Sequence, residues 1–471
     1  MKKSRVRLYL LLLLSTFLSV LVLLPFHICM RLSGSLLSLP FFDTQNGTGL
    51  LVVLVVVLSA LQIGLLSGVR IRNCSVNVLS YFMERGVRFR FVLALFFAFV
   101  TCSLSFLMGL ALGGEAPSVF MGAIIFAGVF SLAKEDQKRL LRAIKVGSCV
   151  GFSLAFMNPL AGILYSFVPN KFEKGYLKKE WKLILEGCLC AVFGFFLYGT
   201  LKGLIYLDTY QGAFWKAFLF NEFQMSVLAL PIASLRHYWI FLLIAVLAAL
   251  LGYLYVHGLG FFRKLLWKEK RSTYVISAFG AVLLIPLLHR FFPLSLGTGA
   301  SIIESSDELL NVSLASVAAL LGVRLLFTFF SLTSHFSGGC LIPTLAIGSL
   351  LGTTFSLLLK MAIPLSEGEC LLIVYSFTLS FFAVVTNKRS GVLALTLSFG
   401  PSPALLLSIL PSLLLEWLLG TKLKGFSSLA QAFAKSDIQN SSYAQTLWCH
   451  YPYCSPMFED IWEERNISRR P

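Results

Sequence analysis

The sequence predicts an all-α polytopic membrane protein, and three observations carry that prediction. The first is composition: of 471 residues, 57% are hydrophobic and only 13% charged, with a mean hydropathy of +0.82, well beyond the balance of a soluble domain. The second is recurrence. A helix needs about 20 apolar residues to cross the hydrocarbon core, and long apolar stretches run from Leu8 to Ile28, Leu50 to Val69, Phe91 to Leu112, Ile184 to Leu207, Tyr238 to Val256 and Leu309 to Leu332. The third is a pair of matching glycine and proline breaks, one in each half of the chain. Soluble folds are excluded.

The elements follow in order. "MKKSRVRLYLLLLLSTFLSVLVLL" has the basic start of a signal peptide, but its apolar run is too long and no small-x-small cleavage site follows. It reads as a retained first helix over residues 8–28. Lys2, Lys3, Arg5 and Arg7 place the N-terminus in the cytoplasm, with the protein in the cell (inner) membrane. The clusters at 134–145 and 171–182 carry much of the formal charge of +17. They read as solvated loops flanking the bilayer, so lipid and not nucleic acid is the expected partner. Cys102, Cys149, Cys188 and Cys190 lie in apolar segments as small hydrophobes. Cys449, His450 and Cys454 are too sparse for a zinc set, and no metal or cofactor is expected. The sequons at Asn46, Asn311 and Asn466 are short matches without weight.

"GGEAPSVFMGAII" from Gly113 and "SGGCLIPTLAIGSL" from Ser337 each set paired glycines ahead of a proline and an apolar run. A second related pair follows, "SLAFMNPLAGIL" from Ser153 and "SFFAVVTNKRSGVLAL" from Ser380. Pro117 and Pro343 differ in position by 226, and Gly162 and Gly391 by 229. A near-constant offset indicates internal duplication, with halves at about 70–200 and 300–420. Breaks at membrane depth are tolerated only where the freed backbone faces protein or a water-filled cavity, and paired breaks in matching halves point to a transport site. Proline suits the first turn of a helix, so Pro117 and Pro343 mark helix starts whose upstream N–H groups are free to hold an anion.

Glu115 lies at one of these starts. A carboxylate there is held by the same N–H groups and dipole that would hold a free anion, so the two compete for one place. Two roles fit: a tethered gate, or a cap on the helix.

These residues carry a resemblance. "GGEAP" resembles the G-[KR]-E-G-P signature, and "GGCLIP" the G-x-F-x-P signature, of the CLC family of chloride channels and proton/anion antiporters. "FMNPLAGILY" at 156–165, "GTGASIIES" at 297–305 and "TLAIGSLLGTTF" at 344–355 are similar too, and the resemblance runs in order from about residue 70 to 435. It implies two inverted-topology repeats of broken helices meeting at the midplane, in a homodimer with one pore per subunit. It implies the external gating glutamate at Glu115, and an anion path lined by the backbone at Gly113, Gly114 and Ala116 and at Gly339, Cys340, Leu341 and Ile342.

The sequence also departs from the family. The window for the G-S-G-x-P motif is "RNCSVN", residues 72–77, which has neither the glycines nor the proline; two readings fit, Cys74 or Ser75 in place of the serine ligand, or Ser75 as a loop residue. The family's tyrosine ligand falls at Gly425 or Phe426, and Leu341 replaces a signature phenylalanine. Lys388 stands opposite Pro159 and reads as an interfacial cation ending a helix. Antiporters of the family carry an inward-facing glutamate after P-L-A-G-I-L. Here Val168 and Pro169 fall at that place and Glu173 lies beyond, so movement of a small inorganic anion, chloride first, is expected without tight proton coupling. The transmembrane domain is expected over 1–425, followed by a short polar tail, 426–471, without a regulatory domain pair, as in a compact prokaryotic form. The rival readings are a proton-coupled antiporter, a fluoride exporter and a scaffold that no longer transports. An enzyme is not expected, because no catalytic cluster is visible and His289 and His335 read as packed or helix-end residues.

Overall fold

An apolar run in lipid has no partner for its peptide groups except its own carbonyls four residues back, so helix follows helix. The computed structural model describes residues 2–422 other than 38, 70–75, 77–78, 81–82, 84–89, 169–175, 210, 220–235, 267–270, 335, 387–388 and 400–401. Among the described residues there are seventeen α-helices and no strand beyond one isolated bridge. Eight of the helices are long and apolar enough to cross a membrane.

The first half holds α1 (Lys2–Leu37), α2 (Gln45–Val69), α3 (Phe91–Leu107), α4 (Glu115–Leu132), α5 (Gln137–Ala155), α6 (Pro159–Phe167) and α7 (Tyr176–Ile205), followed by the short α8 (Phe214–Leu219). The second holds α9 (Trp239–Leu266), α10 (Arg271–Phe291), α11 (Ala300–Glu304), α12 (Ser306–Leu309), α13 (Leu314–Thr333), α14 (Leu341–Ala362), α15 (Glu367–Thr386), α16 (Arg389–Phe399) and α17 (Pro403–Lys422). The series α3 to α6 recurs as α13 to α16, and the ends of α3 at Leu107 and of α13 at Thr333 keep the offset that separates Pro117 from Pro343. The duplication read from two motifs therefore extends over four consecutive helices.

Each break has a local cause. The apolar run from Phe91 stops at Leu107, short of the expected Leu112, because Gly109 turns to φ +80°. The Gly109 N–H then donates to Phe106 O and the Leu110 N–H to Ser105 O, satisfying two carbonyls at the end of α3. The same pair of bonds ends α5, with Met157 at φ 48° in the glycine's place. Asn158 follows as the cap of α6, its Oδ1 accepting from the Ala161 N–H, while its Nδ2 ties α6 to Leu397 O of α16.

Small residues let neighbouring helices within each half pack backbone to backbone. A Cβ on Gly122 of α4 would lie 2.4 Å from Gly147 O of α5, and one on Gly348 of α14 would lie 3.0 Å from Thr378 Cα of α15. Gly122 and Gly348 are themselves counterparts at the same offset.

The first helix runs on to Leu37, well past the expected end at Ile28. Its later turns face protein: Met30 lies over Gly114, Leu37 over Gly109, and His289, in the last turn of α10, donates to Leu37 O at 2.8 Å. His289 is thus a packed, helix-end residue. His335, Lys388 and the tail 426–471 lie outside the described residues.

Candidate functional site

Two helices begin inside the protein with their first turns facing each other. α4 starts at Glu115 after Gly114, and α14 starts at Leu341 after Cys340. Pro117 and Pro343 sit in these first turns, where a missing N–H removes no helical bond. Neither cap residue makes a side-chain cap bond. Each start therefore carries about half a positive charge from the aligned peptides, with no cap side chain set against it.

The starts are joined just upstream. The Gly113 N–H donates to Gly339 O at 2.8 Å and the Gly339 N–H donates to Gly113 O at 2.6 Å, an antiparallel bridge. The repeat offset pairs each glycine with its own counterpart. The N–H groups of Gly113 and Gly339, expected to face an anion, are each committed to the other residue's carbonyl, and the two residues brace the junction instead. The first-turn backbone outside this pairing is that of Gly114, Glu115 and Ala116 on one side and of Cys340, Leu341 and Ile342 on the other.

Glu115 is 2% exposed. Its carboxylate folds back past the start of its own helix, so that a Cβ on Gly113 would stand 2.3 Å from Oε2 and 3.0 Å from Oε1. Glycine at 113 is what leaves room for the carboxylate. A Cβ on Gly339 would come within 3.1 Å of Ala116 Cβ, so the second glycine allows the two starts to close on each other. Ala116 and Cys340 keep partial exposure directly beside Glu115 and Leu341, which are buried. Tyr165 of α6, its ring stacked on Phe152 at 4.1 Å, lies within electrostatic reach of Glu115 and near Cys340.

Arg324 in α13 is fully buried. Its Nη1 donates to Ser295 O at 2.6 Å and Gly297 O at 2.9 Å, and its Nη2 to Thr298 O at 2.6 Å. The Gly297 N–H in turn donates to Gly109 O at 2.7 Å. The "GTGASIIES" stretch thus wraps a buried cation and ties it to the turn ahead of Gly113. Sequence reasoning passed over Arg324, although a single arginine inside "VAALLGVRLLFTFF" is itself a signal. Tyr165 stood inside a quoted motif without being singled out.

The remaining expected residues divide simply. Cys74, Ser75, Gly425 and Phe426 lie outside the described residues, as do Pro169 and Glu173. Val168 caps the end of α6. Arg389, next to Lys388, pairs with Glu416 of α17 at 3.0 Å.

Known proteins are similar to this chain. The H(+)/Cl(-) exchange transporter ClcA of Vibrio cholerae serotype O1 (strain M66-2) is 26% identical over 263 residues, which cover 54% of this chain and 51% of that protein. ClcA of Citrobacter koseri is 24% identical over 351 residues, covering 72% and 68%. The chain spans about half the length of the Vibrio relatives it matches. Among solved structures, a slow cyanobacterial Cl-/H+ antiporter superposes with a TM-score of 0.68 at 16% identity, covering 89% of this chain and 94% of that one. A CLC-type fluoride/proton antiporter gives 0.66 at 16%, covering 91% and 99%. A eukaryotic CLC transporter gives 0.68 at 17%, covering 92% and 74%. Those identities establish the fold. A family model described as voltage gated chloride channel matches residues 76–415, and with that match spanning both half-helix starts and the bridge between them, the chain belongs to the CLC family, whose members are transporters and channels and not enzymes.

Proposed function

We propose that the chain moves small inorganic anions, chloride first, between the starts of α4 and α14, with the Glu115 carboxylate as a tethered gate. One observation carries this reading: a buried carboxylate lies at the junction of two facing, uncapped helix starts. An anion arriving there meets the N–H groups at Gly114 to Ala116 and Cys340 to Ile342 and competes with the carboxylate for their field. Protonating or removing the carboxylate vacates the place.

We read the movement as uncoupled from protons. Val168 has no proton to carry, and it stands where the family's inner carboxylate falls. The similar proteins named as proton exchangers favour the other reading, and fluoride is the alternative anion. A homodimer in the inner membrane completes the proposal. The N-terminus is cytoplasmic on this reading, supported by the gathering of basic clusters on one face: Arg7 and Arg139 both pair with Glu135, and Arg142 with Glu186.

The test uses purified protein in liposomes under chloride, then fluoride, gradients with internal and external pH recorded. Glu115→Gln is expected to raise or lower anion flux by at least about tenfold, the equivalent of about 1.4 kcal/mol, and to flatten its pH dependence. Unaltered flux across the pH range in a folded variant makes Glu115 a cap only. Uphill proton movement at a fixed ratio to chloride overturns the uncoupled reading.

A further inference from the structure

α1 reaches the start of α4 through a buried histidine. His27 Nδ1 lies 2.8 Å from Tyr198 Oη of α7, and its Nε2 lies 2.8 Å from Ser118 Oγ of α4. The Ser118 hydroxyl donates to Gly114 O at 2.7 Å, an acceptor that also takes the Ser118 N–H at 3.0 Å.

The directions of these bonds follow from one end. A carbonyl only accepts, so the single Ser118 hydroxyl proton points at Gly114 O. Toward His27 the Ser118 oxygen therefore accepts, which puts a proton on Nε2. Neutral imidazole then leaves Nδ1 to accept from the Tyr198 hydroxyl. Every proton in Tyr198–His27–Ser118–Gly114 points the same way, and the tautomer is set. The ionisable groups beside His27 are Tyr198 and Lys202 on α7, with Arg31 one turn along α1. A second ring proton would turn Nδ1 into a donor facing Tyr198, beside the Lys202 ammonium.

The Gly114 carbonyl belongs to the same flat peptide as the Glu115 N–H. Holding the carbonyl aims that N–H out of the helix start, into the junction. We infer that His27 is a positioning residue of the anion path: with Ser118 it sets the Gly114–Glu115 peptide, which makes the N-terminal helix a working part of the gate. This rests on reading Glu115 as the gate, and it adds a residue from outside both signature motifs.

The experiment measures chloride flux in liposomes against chloride concentration and against pH for His27→Leu, His27→Gln and Ser118→Ala, with Glu115→Gln as control. His27→Leu and Ser118→Ala are expected to raise the half-saturating chloride concentration by about fivefold or more, and to move the midpoint of the pH profile. His27→Gln, which keeps one donor for Ser118, is expected to fall between them and wild type. Ser118→Ala leaves His27 in its packing and carries the test if His27→Leu fails to fold. Wild-type half-saturation and pH profile in Ser118→Ala, with Glu115→Gln still active as a perturbation, overturn the inference and leave the gate standing. Wild-type behaviour in Glu115→Gln overturns the gate itself.

Discussion

The starts of α4 and α14 share a backbone and differ in nearly everything hung on it. Ser118 and Thr344 are counterparts at the repeat offset, and each donates its hydroxyl to the cap carbonyl four residues back, Gly114 O at 2.7 Å and Cys340 O at 2.8 Å. Behind Ser118, His27 of α1 completes the set of bonds. Behind Thr344, Tyr255 of α9 takes the corresponding place, but its buried hydroxyl, directed at Thr344, makes no well-formed hydrogen bond among the described residues. The first start carries an acid, Glu115, where the second has Leu341. The second half carries a buried base, Arg324, where the first has Ala98. Duplication kept the facing helix starts on both sides, while acid, base and bracing were divided between the halves. On the function proposed above, backbone N–H groups supply the site twice and side chains supply control once.

The largest break in that comparison comes from Arg324. Arg324→Met leaves the carbonyls of Ser295, Gly297 and Thr298 buried without their donors, at about 1–3 kcal/mol each, so loss of folded protein in size-exclusion profiles and melts is expected. Arg324→Lys keeps the charge but loses the planar fork, and is expected to recover folding only in part.

Gly113→Ala is expected to act at the gate. Its methyl group takes the space of the Glu115 carboxylate, so flux should shift in the direction of Glu115→Gln by several-fold. In the Glu115→Gln background the shift should shrink, because the two changes act on one contact. Full additivity in the double variant separates the glycine from the gate.

Tyr255→Phe gives the smallest effect. Removing a hydroxyl that makes no well-formed hydrogen bond is expected to change stability by less than about 1 kcal/mol and to leave flux near wild type. A change as large as that from His27→Leu would show the second start to be braced as firmly as the first.

What the sequence disclosed follows the same division. Paired glycines, the prolines after them and the constant offset between the halves are local and repeated, so the meeting of Gly113 with Gly339 was legible, and so was Glu115 at its edge. His27 was not. Its partners stand 91 and 171 residues away, and a histidine in an apolar run looks the same whether it packs or positions. The commitment of the Gly113 and Gly339 N–H groups to the opposite glycine's carbonyl was equally hidden, because a motif shows which backbone is unbonded by its helix but not what it meets in space. The overrun of α1 past Ile28 has the same origin: its last turns are held by contacts with Gly109, Gly114 and His289, all far along the chain.

The bridge between Gly113 and Gly339 joins a residue to its own counterpart, as happens where two identical chains touch on a two-fold axis. Two half-length polypeptides would make the same contact as an interface between subunits. Fusion has turned that interface into interior, and it has released the two copies from having to remain alike. One half can then carry a glutamate and the other an arginine, because neither has to be repeated in its counterpart.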